Sequence, residues 1–390
     1  MFEENSGSQI SVCHSALRTV ALSLLYTLFL SGSLLSAQDA SPTTHTLVLQ
    51  GISDLSAAVL LPSGQLLVGD DETNLLRVYD PAGGVPLATV DVNDFLGILP
   101  QKKDELDLEA AAQVGSRVYW ITSHGRNKDG KERPDRYRFF VTEVNTAPGS
   151  APTIRPVGTP CKTFVQQLVK TPFAQPMGLD KATRLGEKLK KEERERLAPK
   201  VEGLNIEGMA ASADGKTLYV GLRNPLPVDT DGRPKALVVT VLNAADVMDR
   251  GMAIQFGEPL LWDLDGLGIR SMEYAPAHRA ILIVAGSTGA KAKKPFELFR
   301  WSGVPGEAPV RMPIAEKLPK KFTPESIAPA LEGPRVLLLS DDGTRLVSVR
   351  GAQDCQEGAL LPGDKCENKN LLDQNAKTCR GLWITPQIVP

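Results

Sequence analysis

Histidine is nearly missing from this chain: four occur in 390 residues, and no CxxC pair accompanies them. A zinc site built from Cys and His therefore has no ligand pattern to rest on. A basic excess is missing too. The formal charge is −2, and recognition of a phosphate backbone needs clustered Lys and Arg, so no nucleic-acid partner is expected. Beyond the N-terminal region no run of apolar residues is long enough to span a bilayer. Neither a Walker loop nor an HExxH, GxSxG or dinucleotide fingerprint is present. Any chemistry must come from residues that the fold gathers from distant parts of the chain.

The exceptional N-terminal region is TVALSLLYTLFLS (19–31), with Arg18 before it and Leu35, Ser36 and Ala37 after it. An apolar core followed by small residues predicts an export signal over residues 1–37, hence a periplasmic or secreted protein with one domain at 38–390. Glu3 and Glu4 make the leading segment unusual, and an uncleaved anchor is the alternative. Cleavage would remove Cys13 and leave Cys161, Cys355, Cys366 and Cys379. Four cysteines in an oxidising compartment allow two bridges in any of three pairings.

An internal repeat organises the remainder. The segments DLSAA (54–58), DLEAAA (107–112), NIEGMA (205–210), SMEYA (271–275) and PESIA (324–328) each lead from polar residues into a small, apolar strand. Read in one register, they make Ser56, Glu109, Glu207, Glu273 and Glu325 equivalent. A second strand follows each: QLLVGDD (65–71), RVYWITSHG (117–125), TLYVGLRNP (217–225), AILIVAGS (280–287) and RVLLLSDDG (335–343). Third strands fit LLRVYD, YRFFVTEV, ALVVTVLN, FELFRW and RGLWIT (380–385), and fourth strands fit PLATVDV, TIRPVG, EPLLWDL and VRMPI. The last unit lacks a fourth strand, whereas HTLVLQ (45–50) stands spare before the first.

These counts predict an all-β fold, a β-propeller of about five four-stranded blades, with the N-terminal strand closing the last blade. A sixth, irregular blade hidden in 140–202 is the alternative. Residues 160–200 have helical composition, with Pro160, Pro172 and Pro199 bounding the pieces, and read as an insertion between blades two and three. The charged run at 187–196 reads as a solvated helix face with i,i+4 ion pairs. Residues 351–379 read as a cysteine-containing loop of the last blade.

In a propeller the loop before each innermost strand and the loop after the second strand open on the same face. That face would collect Asp70, Asp71, Glu109, Asn205, Glu207, Glu273, Asp341 and Asp342, oxygen donors of the kind a hard divalent cation such as calcium takes. Carboxylates crowded at a channel mouth must be hydrated, protonated, paired or metal-bound. Arg126, Arg223 and Arg270, with Asn127 and Asn224, are the candidates for holding an anionic substrate. Glu207, Glu109 and His124 are the candidate general bases or acids.

GISDLSAAV, VGDDETNLLRVYD, DLEAAA, SHGRNKDGKERPDRYRFF, GLNIEGMA, GLRNP, GLGIRSMEY and LLLSDDG resemble the bacterial family called domain of unknown function 3616, from about residue 50 to the end outside the insertion. The family implies no activity. NIEGMA followed by SADGKTLYVG is similar, over a short stretch, to the phytase-like esterase propellers, a resemblance that implies metal-dependent cleavage of phosphoesters or esters. Two functions are therefore carried forward. One is a divalent-metal-dependent hydrolase acting on an anionic small molecule at the acidic mouth. The other is a non-enzymatic propeller that binds a cell-envelope protein or glycan. Neither the substrate nor the oligomeric state is written in any motif.

Overall fold

In the computed structural model the first described strand is β1 (Thr46–Gln50), and its use explains how the molecule closes. The structure describes residues 46–98, 105–146, 152–289 and 294–387. The export signal expected at 1–37 lies outside these residues, as does Cys13.

Twenty of the strands form five antiparallel sheets. Blade one is β2 (Leu55–Leu60), β3 (Leu66–Asp70), β4 (Leu75–Tyr79) and β5 (Ala88–Asp91), followed by the short helix α1 (Asn93–Leu96). Blade two is β6 (Leu108–Val114), β7 (Arg117–Thr122), β8 (Phe139–Asn145) and β9 (Thr153–Cys161). The short helices α2 (Phe164–Leu168), α3 (Leu179–Thr183) and α4 (Lys191–Arg196) follow. Blade three is β10 (Asn205–Ala211), β11 (Leu218–Asn224) and β12 (Ala236–Val241), then helix α5 (Ala244–Arg250) and β13 (Leu260–Trp262). Blade four is β14 (Gly268–Ala275), β15 (Ala280–Gly286), β16 (Glu297–Trp301) and β17 (Val310–Met312).

Blade five begins with β18 (Pro324–Pro329) and β19 (Val336–Ser340). The chain then leaves the sheet for a two-stranded excursion, β20 (Leu346–Ser348) with β21 (Lys365–Glu367), and returns as β22 (Thr378–Ile384). The fourth strand of this blade is β1, paired antiparallel along β22 from Thr46↔Leu382 to Gln50↔Thr378. The first and last described strands thus share one sheet. The innermost strands adjoin in closed order, β2, β6, β10, β14, β18 and back to β2. Five blades close the ring, and no sixth occurs among the described residues.

The sequence dictates this shape in a simple way. Inner strands crowd at the axis and must be small, and LSAAVL, LEAAAQV and NIEGMAA supply Ala, Ser and Gly there. A Cβ on Gly208 would lie 2.6 Å from Ile269 Cγ2, and one on Gly221 would lie 2.6 Å from Met272 Sδ. Blade four packs into the space those two glycines leave. The larger side chains fill the gaps between blades, where Trp120, Trp301, Phe139 and Phe140 are fully enclosed.

In the insertion, α4 buries no residue. Its charges pair along its own surface and with Arg184, through Lys191–Glu195 at 3.7 Å and Arg184–Glu193 at 3.3 Å. Of the four cysteines outside the N-terminal region, Cys355 and Cys366 form a disulfide that closes the excursion. Cys161 and Cys379 are free, the second buried within β22, so one bridge forms where the count allowed two. No helix among the described residues is long and apolar enough to cross a membrane.

Closure through β1 is testable. Its side chains alternate, Leu47 and Leu49 inward and Val48 outward. Leu49→Ala is expected to lose about 2–5 kcal/mol in urea denaturation, whereas Val48→Ala should change stability by less than about 0.5 kcal/mol. Equal small losses would mean that β1 does not fasten the ring.

Candidate functional site

Each inner strand carries a β-bulge near its first residues, and the bulged residue is the one that the ladder leaves unpaired. Pairing skips Ser56 in β2, Glu109 in β6, Glu207 in β10, Arg270 in β14 and Glu325 in β18. The five equivalent positions are therefore Ser56, Glu109, Glu207, Arg270 and Glu325. This corrects the register expected for blade four, where an arginine stands in the place assigned to Glu273. Glu273 pairs with Leu282 three residues further along β14, about 10 Å away at roughly 3.3 Å per residue.

Arg270 joins its neighbours. Its Nε lies 2.8 Å from Glu207 Oε2, and its Nη2 donates to Glu325 Oε1. Glu207 Oε1 accepts from Arg223 Nη1 at 2.9 Å and also from Asn205 Nδ2. Burial pushes the Glu207 carboxyl up, but Arg223 and Arg270 outweigh it and hold the group below its usual range. One acid of the ring is thus fully neutralised.

Others are not. Asp71, Glu109 and Asp341 have no ion-pair partner among the described residues, and Asp71 Oδ1 is buried without any hydrogen bond. Burial, followed by repulsion from Asp54, Glu109 and Asp341, holds Asp71 well above the carboxylate range. Burial and then Glu207 and Asp107 do the same to Glu109, against the pull of Arg270 and Lys200. Asp341 is raised by burial, although Gly343 N–H donates to it and Lys200, Arg270 and Lys369 attract it. Asp54, missed in the sequence, belongs to the same group. Burial and Asp341 push it up to about 7 despite a 2.6 Å hydrogen bond from Ser53 Oγ.

Residues 176–323 match the family model described as Protein of unknown function (DUF3616). That stretch holds blades three and four, with GLNIEGMA and GLGIRSMEY. Laid together, these two motifs align Ile206 with Ile269, Glu207 with Arg270 and Met209 with Met272, so the bulge register was readable from them. No curated protein matches the chain by sequence. Among solved structures, it is similar to a PQQ-bound aldose sugar dehydrogenase from Streptomyces coelicolor, at 13% identity over 88% of this chain and 98% of the other, with TM-score 0.38. It is also similar to virginiamycin B lyase from Staphylococcus aureus, at 8% identity over 87% and 98%, with TM-score 0.35. Likenesses this remote carry no information about a reaction.

The remaining residues expected at the mouth are placed as follows. Asp70 is buried in an ion pair with Arg77 at 3.0 Å, and Asp342 is enclosed by Arg380 at 2.7 Å and Arg345 at 3.4 Å. These two acids fasten their own blades and are not open to a cation. Among the described residues no group of three or more His, Cys, Asp or Glu is gathered closely enough to hold a metal ion.

The arginines expected to hold an anion are occupied. Arg126 is buried, donating to the Thr183, Arg184 and Gly130 carbonyls and pairing with Glu132 at 2.9 Å. Arg223 serves Glu207 and the Thr288 carbonyl, and Arg270 serves Glu207 and Glu325. Asn127 caps its own turn at Asp129 and Lys131, and Asn224 donates to the Pro199 and Thr288 carbonyls. His124 is enclosed between Tyr137 and Phe164, with Nδ1–H donating to the Thr122 carbonyl at 2.9 Å. Burial lowers its pKa to about 4, and Nε2 is buried without a hydrogen-bond partner.

Loops complete the mouth. Lys369, from the disulfide-closed excursion, reaches Glu72 at 3.2 Å, and Lys200, from the insertion, stands exposed close enough to attract Glu109 and Asp341. Neither lysine was singled out in the sequence, because only the fold brings these two segments to one face.

The two kinds of acid have opposite linkage to pH. Glu207, held below its unfolded value, stabilises the fold at neutral pH and loses this as pH falls through its folded value. Asp54, held above its unfolded value, costs stability progressively as pH rises from 3.8 towards about 7. At pH above that window, Glu207→Gln is expected to destabilise by about 3–5 kcal/mol, because it leaves buried arginines underpaired. Asp54→Asn is expected to stabilise there and to flatten the fall of melting temperature across the window. Calorimetry of the two variants checks both signs, and a stabilised Glu207→Gln would contradict the assignment.

Proposed function

We propose that the chain is a ligand-binding propeller whose acidic mouth receives the positively charged group of its ligand, a basic segment of a cell-envelope protein. The supporting observation is the imbalance at the mouth. Glu109 and Asp341 sit close enough to repel Asp71, none of the three has an ion-pair partner among the described residues, and Arg126, Arg223 and Arg270 are already occupied. Desolvated, mutually repelling carboxylates are relieved by an incoming cation and opposed to an incoming phosphoester. Exposed Lys200 at the rim is the protein's own partial answer to that field. An export signal at 1–37 would place such a receptor in the periplasm or outside the cell.

A metal-dependent hydrolase is the reading this geometry favours less. It needs ligands gathered round a cation, a titrating base and a free anion holder, and Asp70, Asp342, His124, Arg126, Arg223 and Arg270 are all committed to the scaffold.

Fluorescence anisotropy with labelled pentalysine tests the proposal. Binding at low ionic strength is expected to weaken with added salt and to drop at least about tenfold in the Glu109→Gln, Asp341→Asn double variant, equivalent to about 1.4 kcal/mol. Both substitutions relieve repulsion, so the variant should fold. Pentalysine binding that ignores the double substitution would overturn the reading. So would calcium-dependent turnover of a phosphoester that Glu109→Gln abolishes.

A further inference from the structure

The opposite mouth of the channel has a different character. There the C-terminal ends of the inner strands enclose a cavity of about 420 Å³, within the size range of small-molecule sites. All five blades contribute, through Val59, Val114, Ala211, Glu273 and Pro329, with Leu331 at the rim. The wall is largely apolar, and among the described residues no Lys, Arg or His is part of it.

Glu273 is the buried acid of that wall. It is 8% exposed, its Oε1 accepts from the Tyr274 N–H at 2.9 Å, and its Oε2 has no hydrogen-bond partner. Burial alone pushes its carboxyl well above the usual range, since only the Tyr274 N–H opposes it. Such a group destabilises the fold unless something completes it. The corresponding position in blade three is Ala210, so the closure of the ring does not require an acid here.

We propose that this second mouth is a binding site for a small organic cation with an apolar body, a primary ammonium whose charge meets Glu273 Oε2 while its hydrocarbon part lies against Val59, Val114, Ala211 and Pro329. The acid supplies one directional, charge-assisted hydrogen bond. The wall supplies burial of apolar surface. Asp214, the other acid of the lining, stands exposed and is paired with Lys216 at 3.6 Å, which leaves Glu273 as the acid without an ion-pair partner. The site is independent of the acidic mouth at the bulge ring, because its residues lie at the far ends of the same strands.

Isothermal titration with 2-phenylethylammonium, against neutral 2-phenylethanol of nearly the same shape, tests this. The wild-type chain is expected to bind the ammonium one to one and the alcohol at least about tenfold more weakly. Glu273→Gln should remove that preference while melting at or above the wild-type temperature, since the amide carries no charge to bury. Leu331→Trp, at the exposed rim, should weaken the ammonium by a similar factor through occlusion, and Glu109→Gln at the other mouth should leave it unchanged. Equal binding of ammonium and alcohol would overturn the proposal, as would full ammonium affinity in Glu273→Gln or the absence of binding by the wild-type chain.

Discussion

The arginine at the bulge of the fourth blade is the interaction on which the mouth of this propeller depends. Three blades place Glu at the bulge and one places Ser, and a ring with a fourth acid would crowd charges that burial already penalises. Arg270 breaks that pattern. It joins Glu207 on one side to Glu325 on the other, and with Arg223 it leaves Glu207 as an ion-paired, hydrogen-bonded carboxylate. The same contact ties blades three, four and five together near the axis, where small side chains contribute little packing of their own.

The acids with which Arg270 forms no ion pair define the rest of the site. Asp71, Asp54 and Asp341 come from the first and last blades, on the far side of the ring from the Arg223–Glu207 pair, and Glu109 stands between the two groups. The protein offers them lysines from two appended segments, the helical insertion and the disulfide-closed excursion, rather than further arginines from the blades. This division is the observation behind the proposed receptor for positive charge. The opposite mouth repeats the theme on a smaller scale, with one buried, unpartnered acid in a largely apolar wall.

Much of the fold could be read before any coordinates. The five repeats, the strand order and the closing role of HTLVLQ follow from period-two patterning and from the need to cover sheet edges. The site was legible only in part. An alignment anchored on glutamate slid blade four by three residues, because Glu273 offered the expected residue type, although the shared Leu-x-Ile and Met of GLNIEGMA and GLGIRSMEY point to Arg270. Asp70, Asp342 and His124 look like functional residues in sequence. Their roles as a strand clamp, a blade-closing anchor and an enclosed ring depend on Arg77, Arg380 and Phe164, partners that patterning cannot supply. Asp54, Lys200 and Lys369 were overlooked because nothing local marks them. Their proximity is created by the ring.

The mouth is organised by the division between a neutralised acid and unpaired ones. Following the side-chain carboxyl carbons of the protein by NMR through a pH titration measures it directly. Glu207 should titrate below the ordinary glutamate range, while Asp71 and Glu109 titrate above theirs. Ordinary values at all three positions would show that Arg270 does not organise the mouth.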